Sequence, residues 1–254
     1  MRALPRRLLP AALLLPLVAS ADELPAPLQA LEAEGLTIHG RFEAPDGLTG
    51  YAASAGGQPM TIFVTEGGQH AVIGNLVDAE GENLSRAPLD RLVRAPQDAE
   101  TWGELEQSAW IADGRDDAER IVYVFTDPNC PYCRQLWQAA RPWVEAGKVQ
   151  LRHVMVGILA ADSPRKAVSL LAADDPAAAL ADHERGDTVE ILDALPRPLE
   201  LALQENHNLM DGLGLVATPG IVYRQDGPQG GGLLKTAQGM PSDEALTEIL
   251  GPRP

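Results

Sequence analysis

The sequence predicts two folded units in one chain: a small α+β unit first, then an α/β unit whose sheet is interrupted by a block of helices. Three observations carry this reading. Strand-length segments between residues 36 and 77 are separated by glycine turns. Ile121-Val122-Tyr123-Val124-Phe125 is apolar at every position, the pattern of a central strand covered on both faces. Residues 163–210 are then almost wholly helical in character before strand pattern returns at residue 220.

Taken in order, the chain opens with Arg2, Arg6 and Arg7, an apolar stretch over residues 8–18 and the small residues Ala19-Ser20-Ala21. That sequence of features predicts an export signal, residues 1–21, removed after Ala21. The apolar run is interrupted by Pro10 and Pro16 and is short of the ~20 residues a membrane span needs. Residues 24–34 follow as a short helix with Leu24, Leu28 and Leu31 on one side. Strands are expected at 36–42, 48–53, 60–65 and 71–77, with turns at Asp46-Gly47, Gly56-Gly57, Gly67-Gly68 and Gly81. Such an antiparallel meander with one helix is marginal alone, so a second copy is expected to complete it.

Residues 88–98, broken by Pro88 and Pro96, read as a connection or irregular helix, and residues 101–111 as a helix with Trp102, Leu105 and Ala109 on one face. The strand at 121–125 leads into a helix from about Cys130, in which Pro142 predicts a kink. A strand over 150–156 completes a βαβ opening. Helical pieces are expected at 166–173, 176–183, 189–194 and 199–210. A strand at 220–224, a glycine-rich turn at 226–232, a paired strand at 233–237 and a helix at 243–250 capped by Ser242 close the chain. The order βαβ, helices, ββα is that of a thioredoxin-like sheet with a helical insertion. The expected divisions are a signal at 1–21, an N-terminal unit at 22–89, a linker and connecting helix at 90–113, and the α/β unit at 114–254 with its insertion at 163–210.

Composition narrows the function. The formal charge is −16, and removal of the three leader arginines makes the rest more acidic still, which argues against duplex nucleic acid or an anionic membrane as the main partner. No phosphate-binding loop or nucleotide fingerprint is visible, so no organic cofactor is expected. With two cysteines three residues apart, no disulfide framework holds the fold together.

Those cysteines carry the chemistry. Cys130-Pro131-Tyr132-Cys133 follows a buried strand and opens a helix, where unpaired amide groups and the helix dipole stabilise a thiolate. Cys130 is therefore expected to be the nucleophile. Cys133, deeper in the first turn, is expected to resolve a mixed disulfide by intramolecular attack. Pro131 suits the first helical turn, where no amide is needed. The competing readings are half a zinc site and an inert crosslink. A closed zinc site wants four ligands, and His153, His183 and His207 supply no second knuckle near the pair. A crosslink closing so small a loop contributes little. Thr218-Pro219 stands at the start of the 220–224 strand; a cis bond there would set the Thr218 backbone beside the cysteines, while an ordinary turn proline is the alternative. His207 reads as packed or hydrogen-bonded. Asp113, Asp116, Asp117 and Glu119 read as a solvated connection rather than a metal cage, and Trp102, Trp110, Trp137 and Trp143 as helix-interface fillers.

An ordered set of motifs resembles the DsbC/DsbG family of bacterial periplasmic thiol-disulfide interchange proteins. The set comprises Gly81-Glu82-Asn83-Leu84-Ser85, the 121–125 strand, Asp127-Pro128-Asn129-Cys130-Pro131-Tyr132-Cys133, Arg141-Pro142-Trp143-Val144, residues 147–152 and Thr218-Pro219. The resemblance spans both units. It implies an N-terminal cystatin-like dimerisation domain, a V-shaped homodimer with its cysteine sites facing a shared cleft, and a thioredoxin-like catalytic domain. It implies a cis Pro219, and a substrate-binding role for Pro131, Tyr132, Thr218 and Pro219 around catalytic Cys130 and Cys133. It further implies periplasmic disulfide reductase and isomerase activity on exported proteins, reduction of sulfenylated cysteines, chaperone activity, and reduction by the membrane electron donor DsbD. Asn129 and Gly220 depart from the family pattern, where a bulky aromatic and an alanine are more familiar. A dithiol oxidase that donates disulfides, and a chaperone acting mainly through its cleft, are the alternative functions.

Overall fold

The computed structural model describes residues 23–225 and 232–254. The expected signal at 1–21 and most of the glycine-rich turn at 226–232 lie outside the described residues. The chain divides into two compact units, Met1–Ser85 and Arg86–Pro254.

In the first unit, α1 (Ala26–Ala33) precedes β1 (Thr37–Glu43), β2 (Thr49–Ala55), β3 (Gln58–Val64) and β4 (Ala71–Ile73). The four strands form one antiparallel sheet in chain order. Gly56 and Gly57, both at positive φ, make the tight β2–β3 hairpin turn that other residues adopt only with strain. Alternation places Tyr51, Ala53, Ile62 and Val64 on one face, where they bury Leu28 of α1 completely. The opposite face packs Phe42 edge-on against Phe63, over Gly50, where any Cβ would collide with the Phe42 ring. The last strand is shorter than the expected 71–77: after Ile73 the chain leaves the sheet, and Thr61 Oγ1 donates to the Gly74 carbonyl.

The second unit begins with α2 (Arg86–Leu89), a five-residue π-helical turn at Asp90–Arg94, and α3 (Ala95–Gln107). The expected helix over 101–111 stops early. Ser108 adopts extended backbone, and Trp110–Asp113 form an edge strand, β5, antiparallel to a later strand. Asn206 explains the switch: its side chain accepts from the Ala109 amide and donates to the Ala109 carbonyl, satisfying from outside the groups a helix would have paired.

Next come β6 (Arg120–Thr126), α4 (Pro131–Glu145), β7 (Val149–Met155), α5 (Ser163–Leu171), α6 (Pro176–Arg185), α7 (Arg197–Gly212), β8 (Gly220–Arg224), β9 (Leu234–Gln238) and α8 (Asp243–Leu250). The sheet runs β5-β7-β6-β8-β9, with only β6 and β7 parallel. Central β6 meets the expectation of burial on both faces. Val122 and Val124 pack against Leu136, Ala140 and Trp143 of α4 and Leu246 and Ile249 of α8, while Tyr123 and Phe125 pack against Trp102, Leu105 and Met210. Helix α4 continues through Pro142. The insertion helices build a third core with Ile111 and Met155, through Val168, Leu170, Leu180 and Leu203.

The expected helix at 189–194 does not form. Gly186 ends α6 in the left-handed conformation and Pro196 sits ahead of α7, leaving a segment too short to nucleate. Its backbone is held by α5 instead: the Leu192 amide donates to Ser169 Oγ, and Arg165 donates to the Leu192 carbonyl.

Candidate active site

Cys130 stands at the junction of β6 and α4. Its backbone is extended (φ −85°, ψ 111°), which makes it the N-cap residue, and Pro131 begins the helix behind it. The cap acceptor here is sulfur: the Cys133 amide donates to Cys130 Sγ at 3.1 Å. The Thr218 carbonyl lies 3.4 Å from the same sulfur. Both cysteines are free thiols and both are buried.

Their electrostatics differ sharply. Donation from the Cys133 thiol lowers the Cys130 pKa to about 6; burial opposes this, and Thr218 with the amides of Cys133 and Tyr132 assists it. Burial pushes the Cys133 thiol strongly upward, and the adjacent Cys130 anion raises it further. One sulfur is thus poised as a thiolate and its neighbour is kept as a thiol that donates to it.

The loop that supplies Thr218 comes from 88 residues away and is fixed by several contacts. The Thr218–Pro219 bond is cis. Gln238 Oε1 accepts from the Val216 and Ala217 amides, and the Gly239 amide donates to the Pro219 carbonyl. Thr218 is buried. Gly220 is paired with Phe125 on one side and Gln238 on the other, and an added Cβ would lie 3.1 Å from Leu215 Cδ1. Tyr132 is 54% exposed, and Ile158, Leu159 and Val216 are exposed as well. All six predicted site residues, Cys130, Pro131, Tyr132, Cys133, Thr218 and Pro219, belong either to the first turn of α4 or to the loop facing it.

The sequence reading missed the residues that hold this turn. Asp127 is fully buried, and its carboxylate accepts from the amides of Asn129, Ile158 and Leu159 and from the Ser163 hydroxyl. Asn129 does not simply make the approach polar: its Nδ2 donates to Asp162 and Ser163, and its Oδ1 accepts from Lys166. His183 Nε2 donates to the Pro128 carbonyl at 2.6 Å, and the His183 carbonyl accepts from Arg134. Buried Glu184, its carboxyl shifted upward by burial, lies 3.8 Å from Arg134 Nε. The signal available in sequence was an aspartate directly at the end of a buried strand; the partners from 158–184 carried none.

Of two other positions, His207 meets its expectation and Asp113 departs from it. His207 Nε2 accepts from the Gly157 amide at 2.9 Å, a structural bond. Asp113 is not part of a solvated connection: it pairs with Arg141 and lies 3.6 Å from buried His153, because β5 carries it inward against α4. Burial opposes its ionisation, but bonds from His153 and Arg141 prevail and hold its pKa at about 2. Among the described residues, no three His, Cys, Asp or Glu side chains gather as ligands for a metal ion. No helix among them is long and apolar enough to cross a membrane.

Comparison with known proteins agrees with this geometry. Residues 111–251 match the thioredoxin-like domain family. Over 240 residues the chain is 50% identical to the thiol:disulfide interchange protein DsbG of Pseudomonas aeruginosa, spanning 93% of this chain and 92% of that one. It is 41% identical over 241 residues to DsbG of Escherichia coli strain K12, spanning 94% and 96%. Among solved structures, the catalytic domain of Proteus mirabilis ScsC shares the fold at a TM-score of 0.50 and 20% identity, covering 61% of this chain and 96% of that domain.

Proposed function

The chain belongs to the DsbG family of thioredoxin-like thiol:disulfide interchange proteins, and from that premise we propose that it is a periplasmic protein disulfide reductase and isomerase with Cys130 as nucleophile and Cys133 as resolving thiol. The observation that carries the assignment of roles is the opposite displacement of the two thiols, Cys130 down to about 6 and Cys133 upward. At neutral pH Cys130 is largely thiolate and reactive, while Cys133 waits as a protonated donor.

The cycle follows. The Cys130 thiolate attacks one sulfur of a substrate disulfide, the substrate S–S bond breaks, and the second substrate sulfur leaves as a thiolate. With a sulfenylated cysteine, attack on the substrate sulfur expels hydroxide, which takes a proton to become water. Cys133 then loses its proton and attacks Cys130, releasing the substrate thiolate and leaving the Cys130–Cys133 disulfide. In isomerisation a second substrate thiolate expels Cys130 first, and the site remains reduced. Pro131, Tyr132, Thr218 and cis Pro219 bind the substrate segment around the reacting sulfur, the Thr218 backbone pairing with an extended chain. Regeneration of the dithiol falls to a membrane electron donor of the DsbD type. The periplasmic setting rests on the export-signal pattern at residues 1–21.

The N-terminal unit serves in this reading as a cystatin-like dimerisation domain. Its terminal strand β4 exposes Val72 and Ile73, with exposed Val77 following, an apolar edge suited to a second copy. A chaperone role would accompany the resulting cleft.

The experiment is substrate trapping. A Cys133→Ala protein expressed in the periplasm accumulates mixed disulfides on Cys130, identifiable by mass spectrometry. Captured proteins with a single cysteine indicate sulfenic-acid reduction, and those with several indicate isomerisation. A Cys130→Ser protein that still reduces disulfides at the native rate would refute the assignment.

A further inference from the structure

We propose that the cavity beside Cys130, walled by the helical insertion, is a carboxylate subsite that selects substrates bearing an acidic group next to the reacting sulfur. This deepens the interchange reading and rests on Cys130 being its nucleophile. The cavity, about 330 Å³, is lined by Cys130, Asn129, Arg134, Lys166, His183 and Asp187. Arg134 follows Cys133 in α4, whereas Lys166, His183 and Asp187 belong to the insertion or to the segment after α6, so the insertion shapes a space that α4 and the sheet alone would leave open.

Two cations face this space, and neither has its charge matched by a fully ionised buried carboxylate. Lys166 donates to Asn129 Oδ1 and pairs with Asp162 at 2.9 Å, but Asn129 is neutral and Asp162 is half exposed, and ion pairs of that kind contribute little because water competes for the exposed partner. Arg134 keeps 41% of its side chain exposed, its only carboxylate neighbour among the described residues is Glu184 at 3.8 Å, and burial shifts Glu184 toward its neutral form. An incoming carboxylate therefore meets two cationic donors whose existing partners are neutral oxygens, a solvated carboxylate or one reluctant to ionise.

A buried polar atom beside the cations is open to a different group of the substrate. His183 is 8% exposed. Its Nε2 must carry the proton, since the Pro128 carbonyl can only accept. Nδ1 then has no hydrogen-bond partner among the described residues, although buried nitrogen atoms are nearly always satisfied. As an acceptor, that nitrogen suits a donor on the substrate such as a backbone amide, and leaves the carboxylate itself to the two cations. Asp187 is the opposing charge on the wall and sets the limit of the preference. The attraction is local, because the chain as a whole carries a formal charge of −16 and repels anions at long range.

The shared chemistry is a carboxylate within one residue of the attacked sulfur, whether on a protein side chain or on a small acidic thiol. The test uses cysteine peptides activated as 2-pyridyl disulfides, identical except for Asp or Asn beside the cysteine, together with the 2-pyridyl disulfide of glutathione. Cys130 attacks the peptide sulfur, the S–S bond to the pyridyl group breaks, and released pyridine-2-thione is followed by absorbance. The native reduced protein is expected to react about fivefold faster with the Asp peptide than with the Asn peptide, the ratio a half-exposed ion pair supplies, and the ratio shrinks in high salt. In Lys166→Met and in Arg134→Met the ratio falls toward unity, and in Asp187→Asn it rises. Because each ratio is internal to one folded protein, loss of stability in a variant does not imitate the effect. A glutathione derivative as favoured as the Asp peptide assigns the subsite to small acidic thiols as well as proteins; one no faster than the Asn peptide assigns it to protein side chains. Equal Asp and Asn rates in the native protein, or a ratio that survives both cation replacements, overturns the proposal. Absence of thione release from every probe would instead strike the nucleophile assignment beneath it.

Discussion

At the scale of single residues, a buried aspartate holds the turn from which α4 starts. Asp127 gathers three amides and the Ser163 hydroxyl, so the turn into α4 and the 158–163 loop converge on one carboxylate. Replacing it by Ala strands those donors in a buried site, at about 1–3 kcal/mol for each group left unpaired and unhydrated. An Asp127→Ala protein is expected to lose at least ~2 kcal/mol in urea unfolding; a loss below ~0.5 kcal/mol would show that the carboxylate is dispensable. The contrast with the cysteines explains what was legible. Their spacing and their place after an apolar strand announced the chemistry within four residues, because a helix N-terminus is a local structure. Asp127, Lys166 and His183 act through partners 31 to 55 positions away, and no local pattern records such pairings.

Elements were legible where periodicity is unambiguous and misleading where tertiary contacts override it. The apolar run of β6 and the Ser242 cap of α8 follow directly from sequence. Ser242 Oγ accepts from the Ala245 amide, with Asp243 and Glu244 in the first turn to match the helix dipole. Because α8 contributes Leu246 and Ile249 to the core beneath β6, its cap bears on the whole domain. A Ser242→Ala substitution is expected to cost ~1 kcal/mol of stability, measured as a shift in the chemical-denaturation midpoint; an unchanged midpoint would mean the cap is redundant. Residues 109–111 and 189–194 went the other way. Their helical spacing was real, but Asn206 captured the backbone at Ala109 and α5 captured it at Leu192. Side chains reaching in from α7 and α5 decided the conformation, and those were not visible until the fold brought them near.

Across the molecule, a charged cluster ties the edge of the second unit's sheet to the helix bearing the active site. Asp113 on β5 meets Arg141 on α4 and lies near His153 on β7. Its pKa falls from the usual 3.8 to about 2 on folding. A depressed carboxylate contributes stability that is fully present above its unfolded value and lost as pH falls through its folded one, here roughly from pH 4 down to pH 2; the contribution is about 2 kcal/mol at neutral pH. The gap in unfolding free energy between the native protein and Asp113→Asn is therefore expected to narrow on acidification toward pH 2. A gap that stays constant from pH 7 to pH 2 would exclude the charge as its source. The same convergence of distant segments creates the sulfur asymmetry on which the functional reading stands: the end of β6, the first turn of α4 and the loop at residue 218 meet at Cys130. The most direct test is the rate of alkylation of each cysteine by iodoacetamide in the reduced, folded protein, resolved by mass spectrometry from pH 4 to pH 10. The account predicts that Cys130 reacts alone, with a midpoint near pH 6, while Cys133 stays unmodified. A Cys130 midpoint near pH 9, or equal modification of both thiols, would contradict it.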